Sequence, residues 1–426
     1  MRIRILAFLI AHAAAMLASA ANAQENDLSA HARAIFDHSR ASVAQIRVLL
    51  GRSNSHTSTG SGFVAGSHGV MVTNYHVVAD KALEPETYRL EYVLPDGRRG
   101  PLRILAIDVV HDLAVVQSDI ADAPPLKFRD AALSKGDRAF SIGYPLGQGI
   151  TVTEGTYNGR SEDQYYEHFH FTGAVNPGMS GGPALDANGR VYGVNVASRR
   201  DGQLVSLMVP AKYARQLLDT AAKTEHTEAD FRTLVGAQLL AHGQSLMQAV
   251  LKGRMAVEKF DEFTLPGKTG ELMQCSASTN RETDKAYTID SYGCHLPSSL
   301  YIDPRLQTGT VAFRHNVLRS VKLGTLRFAS LQESRFDPRA SGYDRKHHTR
   351  WACHDSVVAL KGTRGKLVIC SRAYKRFTGL YDVFARLATV DSSKRALHSS
   401  LNMQGVPFEA AMSFARRYIE SIEWNR

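Results

Sequence analysis

Between about Ala41 and Val209 the chain keeps to no helical period and advances in short apolar runs, each cut off by a turn. Gly62-Phe63-Val64, Val70 to Thr73, Leu102 to Leu105, Leu113 to Val116, Ala139 to Gly143 and Val191 to Val196 are such runs. Glycines, prolines and pairs such as Asp96-Gly97 separate them. Branched and aromatic residues in short stretches between turn formers pack well on a pleated surface and are too brief for helices. A long series of such strands predicts an all-β barrel or sandwich.

The rhythm breaks near Pro210. Ala211 to Ala222 has helical spacing and closes the first domain, and Thr224 to Ala229 reads as a polar hinge. Phe231, Val235, Leu239, Leu246 and Val250 predict a second helix over Glu228 to Leu251, although Gly236 and Gly243 fall inside it. Beyond Pro266 strands return, at Leu300 to Ile302, Thr310 to Phe313, Lys322 to Phe328 and Lys366 to Cys370. Pro407 opens a last helix whose buried face carries Phe408, Ala411, Met412, Ala415, Ile419 and Ile422. This half reads as an α+β domain. At 426 residues the chain is too long for one ordinary core. The expected division is a leader over 1–23, a β domain over 24–222, a helical linker over 223–258 and an α+β domain over 259–426.

Arg2 and Arg4, the apolar run Ile5 to Met16 and the small residues of Ala21-Asn22-Ala23 together predict a secretory signal removed before Gln24. The run is short for a membrane anchor, and no later stretch is long and apolar enough to span. A secreted or periplasmic protein with no transmembrane segment in the mature chain is expected. The formal charge of +10 is unevenly spread. Residues 24–224 hold 20 basic and 21 acidic side chains, and residues 225–426 hold 29 and 20. The second half could therefore attract anionic envelope components, or the charge could serve solubility alone. No motif points to nucleic acid.

All four cysteines, Cys275, Cys294, Cys353 and Cys370, lie in that half. In an exported chain they can oxidise. Cys275–Cys294 and Cys353–Cys370 would each close a strand-turn-strand loop and add roughly 3 kcal/mol, with the other pairings left open. The intervals match no common zinc pattern, and neither metal nor cofactor is expected. The basic run Arg345-Lys346-His347-His348 reads as a solvated loop.

Three segments carry chemistry: Thr73-Asn74-Tyr75-His76-Val77-Val78, His111-Asp112-Leu113-Ala114-Val115-Val116, and Asn176-Pro177-Gly178-Met179-Ser180-Gly181-Gly182-Pro183. Cleaving an amide by acyl transfer needs a hydroxyl whose proton a neighbouring imidazole can take, and a carboxylate that fixes the imidazole's tautomer. It also needs two donors already aimed where the oxyanion will form. Glycines around Ser180 let the amides of Gly178 and Ser180 converge. Gly178-Met179-Ser180-Gly181-Gly182 also fits the elbow of α/β-hydrolases, but that fold requires the order Ser, Asp, His between alternating strands and helices. Here the order is His76, Asp112, Ser180 within strand-rich flanks.

These segments resemble the signatures of HtrA/DegP-type trypsin-like serine proteases. Gly60-Ser61-Gly62-Phe63, Ile142-Gly143-Tyr144-Pro145-Leu146-Gly147 and Met208-Val209-Pro210 extend the resemblance over roughly residues 40–217. It implies an all-β, chymotrypsin-like double β-barrel. It implies His76 as base then acid, Asp112 as its orienter, Ser180 as nucleophile, and an oxyanion hole from the Gly178 and Ser180 amides. Ala174 would floor the pocket for the residue before the cut, and Val194, Asn195, Val196 and Ala197 would form the strand that pairs with substrate. The substrates would be polypeptides, with a small or medium apolar side chain before the cut. The peptide-binding PDZ modules usual in that family have no matching pattern in 225–426, and Tyr75, Gly173 and Met179 depart from its usual residues. The alternative is a non-catalytic binding or chaperone-like protein on a protease fold.

Overall fold

The computed structural model describes residues 30–53, 55–162, 165–198, 204–281, 285–337 and 344–425. The predicted signal segment lies outside them. The chain divides into two compact units, residues 1–161 with 167–228, and residues 162–166 with 229–426.

In the first unit a helix over 30–39 (α1) precedes β1 (Val43–Leu50), β2 (His56–Val64), β3 (Val70–Thr73), α2 (Tyr75–Leu83), β4 (Tyr88–Val93), β5 (Arg99–Asp108) and β6 (Leu113–Gln117). The six strands close into a barrel in the order β1-β2-β3-β6-β5-β4. A second closed barrel follows, made of β7 (Arg138–Gly143), β8 (Thr151–Arg160), β9 (Phe169–Phe171), β10 (Pro183–Asp186), β11 (Val191–Ser198) and β12 (Ser206–Pro210), in the order β10-β11-β12-β9-β8-β7. Closure leaves no strand edge unpaired along the sheet, which is how short strands avoid edge-to-edge association. Val43, Phe63, Val72 and Val115 share one buried cluster with Phe140, Ile142, Val194 and Val209, so both barrels contribute to a common core. The unit is thus a pair of closed six-stranded β-barrels, consistent with the expected chymotrypsin-like double barrel. α3 (Ala211–Lys223) lays Ala211, Ala214 and Leu217 on that core.

The second unit begins with α4 (Asp230–Lys252), β13 (Met255–Phe260), β14 (Phe263–Thr269), β15 (Gln274–Thr279), β16 (Tyr287–His295), β17 (Leu300–Asp303), β18 (Leu306–Thr308), β19 (Thr310–Ser320) and α5 (Thr325–Arg335). β20 (Ala352–Leu360), β21 (Thr363–Ala373), β22 (Tyr381–Thr389), β23 (Arg395–Val406) and α6 (Phe408–Glu420) complete its main elements. A seven-stranded antiparallel sheet runs β15-β16-β19-β23-β22-β21-β20. Both disulfides join residues directly opposite on neighbouring strands, Cys275 to Cys294 across β15–β16 and Cys353 to Cys370 across β20–β21.

Three expectations need correction. Residues 223–258 are not a free-standing linker. The predicted stripe of α4 is buried, and Leu246, Met247 and Val250 join the core beneath the sheet with Phe313, Leu401 and Phe414. Of the two glycines inside the predicted helix, Gly243 has a packing reason. A Cβ on Gly243 would sit 2.4 Å from the Gly405 carbonyl oxygen, so only glycine lets α4 approach the end of β23. Lys322 to Phe328 is not a strand, because Gly324 caps α5 and good helix formers follow it. Finally, the run 345–348 is not wholly solvated. Arg345 and Lys346 are exposed, but His347 and His348 are buried, with His347 Nε2 2.9 Å from Asp303 Oδ2 and His348 Nε2 3.5 Å from Asp382 Oδ2. Burial presses the His348 imidazole down to about 4.

Candidate active site

His76 sits in the first turn of α2, immediately beyond β3. Asp112 lies in the tight turn that joins β5 to β6 and takes a left-handed backbone (φ 54), which aspartate tolerates better than most residues. That turn brings one carboxylate oxygen to the His76 backbone N–H (2.8 Å) and the other to His76 Nδ1 (2.6 Å). The Asn74 amide donates to the Asp112 carbonyl oxygen (2.8 Å) and so pins the carboxylate's own backbone. Both side chains of the pair are mostly buried, 15% and 11% exposed. A carboxylate oxygen at Nδ1 can only accept, so this contact places a proton on Nδ1.

Ser180 arrives from the second barrel on the turn before β10. Its backbone is tied to the first barrel. Ser61 N–H donates to Ser180 O (2.8 Å), and Thr73 Oγ1 donates to Ser61 O (2.7 Å). Gly181 (φ 85) is pressed against the same place. A Cβ there would lie 2.3 Å from Thr73 Oγ1 and 2.9 Å from Asn74 N. Asn74 is two residues before His76, so the turn carrying Ser180 abuts the start of α2.

Gly178 has φ 98, and a Cβ on it would meet the Tyr144 carbonyl oxygen at 2.3 Å. The Pro177 carbonyl accepts from Leu146 N–H (3.0 Å), in the 3-10 turn Pro145–Gly147. Because the N–H and C=O of a trans peptide point opposite ways, this bond turns Gly178 N–H away from that turn. On its other side Gly178 is held by Ser61, whose hydroxyl donates to Gly178 O (2.7 Å) and accepts from Tyr144 N–H (3.0 Å). Met179, buried in the second barrel, fixes the bend through its N–H to Asn176 O (3.0 Å). The Ser180 hydroxyl donates to the Val196 carbonyl (3.0 Å).

The expected substrate strand is shorter than its sequence suggests. Val194 is in the core, with no exposure. The Asn195 side chain is buried and donates to Ile142 O (3.1 Å) and Met179 O (3.3 Å), while its backbone is paired with Gly181 and Gly182. Val194 and Asn195 therefore serve the fold beneath the site and have nothing left for substrate. The Val196 carbonyl remains, and Ala174 stands partly exposed before the turn. The backbone of Ala197 pairs with Leu207.

Ser61, Thr73 and Asn74 brace these backbones, and nothing in the sequence singles them out, although all three fall within the segments that resemble the family. Among the described residues, no group of three or more His, Cys, Asp or Glu is placed to hold a metal ion. The surplus of basic residues in the second unit is partly spent internally. Arg281 pairs with Asp290, Arg319 with Asp261, Arg364 with Asp391 and Arg372 with Asp382.

Compared with known proteins, residues 60–194 match the model of the trypsin-like peptidase domain. A Synechocystis protein provisionally named serine protease HhoB is 35% identical over 180 residues, covering 39% of this chain and 42% of that protein. Chlamydia trachomatis and Brucella suis proteins provisionally named periplasmic serine endoprotease DegP-like are 36% identical over 169 residues and 35% over 193. Those matches cover 38% and 42% of this chain, and 33% and 35% of the relatives. The chain thus spans less than half the length of these relatives, and the segment 60–194 matched by the family model includes His76, Asp112 and Ser180.

Proposed function

We propose that the protein is an exported serine endopeptidase that hydrolyses polypeptides through an acyl-enzyme on Ser180. The observation that carries this reading is the pair of bonds between Asp112 and His76, at the backbone N–H and at Nδ1, together with a glycine turn around Ser180 in which Gly178 and Gly181 take φ of 98 and 85.

A peptide bound along the open part of β11 presents an N–H to the Val196 carbonyl and displaces the Ser180 hydroxyl from it. The hydroxyl then turns to His76. Nε2 takes its proton as Oγ attacks the carbonyl carbon, and Asp112 steadies the imidazolium that results. Negative charge on the former carbonyl oxygen meets the N–H groups of Gly178 and Ser180. The bonds from Ser61 to Gly178 O and Ser180 O support the reading that these donors are held before substrate arrives, so that little reorganisation is needed at the moment of reaction. His76 returns the proton to the leaving amine, and water repeats the sequence to free the acid.

Ala174, with only a methyl group, supports a preference for a small or medium apolar residue before the cut. A peptide library cut after Arg or Lys would refute that preference. The segment 1–23 and the disulfides support a secreted or periplasmic location, in keeping with the word periplasmic in the names of two relatives. The direct test is turnover of casein and labelling by a fluorophosphonate. Wild type should be labelled at Ser180, and Ser180→Ala should lose on the order of 10⁴–10⁶ in rate. Equal turnover by both forms would leave a protease fold without protease chemistry.

A further inference from the structure

A cavity of about 660 Å³ opens beside Gly178, and its lining contains no residue of β11 or β12. Its far wall is β1 and β2 of the first barrel, through Arg47, His56 and Thr59, and its near wall is Leu146, Pro177 and Gly178. The cavity thus shares with the candidate oxyanion hole the peptide that presents Gly178 N–H.

Position says which part of a substrate it would take. If residues before the scissile bond lie along β11, the chain passing over Gly178 must leave on the side away from β11. That is where the cavity opens. An extended peptide advances about 3.3 Å per residue, so one or two residues after the cut reach it.

The cavity's charge is one-sided. Arg47 is half-buried, and its Nε donates to Gln45 Oε1 (2.7 Å), which fixes the guanidinium in place. No carboxylate lines the cavity. Glu91, opposite Arg47 on β4, has its ion pair with Arg89 at 4.0 Å, and Asp96, next to the lining residue Pro95, is held by Arg98 at 2.7 Å. Among the described residues no carboxylate pairs with Arg47. A fixed, half-buried guanidinium without a counter-ion is a ready partner for a carboxylate, because its desolvation has already been met and its donors form a planar fork. The first unit as a whole is close to neutral, so the effect is local.

We propose that this cavity binds the residues following the cleaved bond and that Arg47 selects an acidic side chain among them, with His56 flanking it. The proposal rests on the peptidase reading above. Once that reading holds, Arg47 is a specificity residue and takes no part in the bond-breaking steps.

The experiment uses the full chain and internally quenched peptides that differ only at the first and second positions after the cut, carrying Glu, Ala or Lys. Wild type is expected to favour Glu over Lys by about tenfold in kcat/KM at low salt, with the ratio shrinking as ionic strength rises. Arg47→Gln should bring the ratio near one, and Arg47→Glu should invert it, an outcome that misfolding cannot produce. Cleavage with no acidic preference in wild type, or a preference that survives in Arg47→Gln, overturns the proposal and leaves the peptidase reading standing. A wild-type chain that cleaves no peptide and takes no fluorophosphonate at Ser180 overturns the peptidase reading itself.

Discussion

Replacing Ser61 by alanine removes one fully buried oxygen that serves two backbones at once. The hydroxyl donates to Gly178 O (2.7 Å) and accepts from Tyr144 N–H (3.0 Å). Both partners belong to the walls that aim Gly178 N–H. Water has little room to replace the oxygen, since a Cβ on the neighbouring Gly143 would already lie 2.9 Å from Ser61 Oγ and 2.8 Å from Met179 Cα. Each orphaned group then costs about 1–3 kcal/mol if nothing moves. The softest way out is for Gly178 to rotate, which trades stability for a misplaced donor. Full loss of an oxyanion donor costs about 10²–10³ in kcat. A tilted donor should cost less, about 10- to 100-fold, with KM nearly unchanged because the oxyanion exists only in the transition state. Steady-state kinetics on a fluorogenic peptide, with the melting temperature measured in parallel, reads both effects. A kcat within twofold of wild type, accompanied by a lowered melting temperature, would show that Ser61 serves stability alone and would refute the link between this hydroxyl and the oxyanion hole.

Gly178→Ala places a Cβ against the Tyr144 carbonyl at a φ of 98 and should lower kcat by about 10²–10³, read by the rate of fluorophosphonate labelling. Asn74→Ala frees the Asp112 backbone, so kcat should fall by about tenfold and stability by about 1–3 kcal/mol in urea titration, while an unchanged kcat would contradict the bracing role. His315 is fully buried in the second unit, with Nε2 at Pro266 O (3.0 Å) and Nδ1 at the Ser399 hydroxyl (3.0 Å), and burial presses it down from 6.5 to about 4. Its folded value lies below its unfolded one, so its contribution is full above about pH 6.5 and fades as pH falls toward 4. At pH 5 about 2 kcal/mol is lost, and His315→Gln should flatten the urea midpoint against pH over that window.

The fold and the candidate site were legible to different depths for different reasons. Strand rhythm and turn residues are local, so the β domain could be read from its own segments. His76, Asp112 and Ser180 stood out because their residue types and order suit one chemistry. The bonds made by Ser61, Thr73 and Asn74 join side chains to backbone atoms far along the chain, and no local pattern announces such a partner. The placing of Val194 and Asn195 on a substrate strand came from the resemblance, by position alone. Alternation along a strand tells which face a side chain takes, but not which edge of the strand is already occupied, and here 181–182 occupies it. The run 345–348 misled because charge in sequence suggests solvent. Asp303 and Asp382, which receive His347 and His348, come from other strands.

These hydrogen bonds also explain how two separate barrels can hold one reacting geometry. His76 and Asp112 belong to the first barrel, and Ser180, the proposed nucleophile, and Gly178 belong to the second. Packing of apolar side chains sets the distance between barrels, but it is non-directional and cannot set the angle of a peptide plane. That angle is set by directed bonds crossing from one barrel to the other. Ser61 N–H reaches Ser180 O, Ser61 Oγ reaches Gly178 O, and Thr73 Oγ1 locks Ser61 from behind. Ser61 lies in β2, and its backbone and side chain grip both ends of the Gly178–Ser180 turn. A small rotation between the barrels would therefore strain the bonds that hold the 178–180 turn and would also shift Ser180 relative to His76.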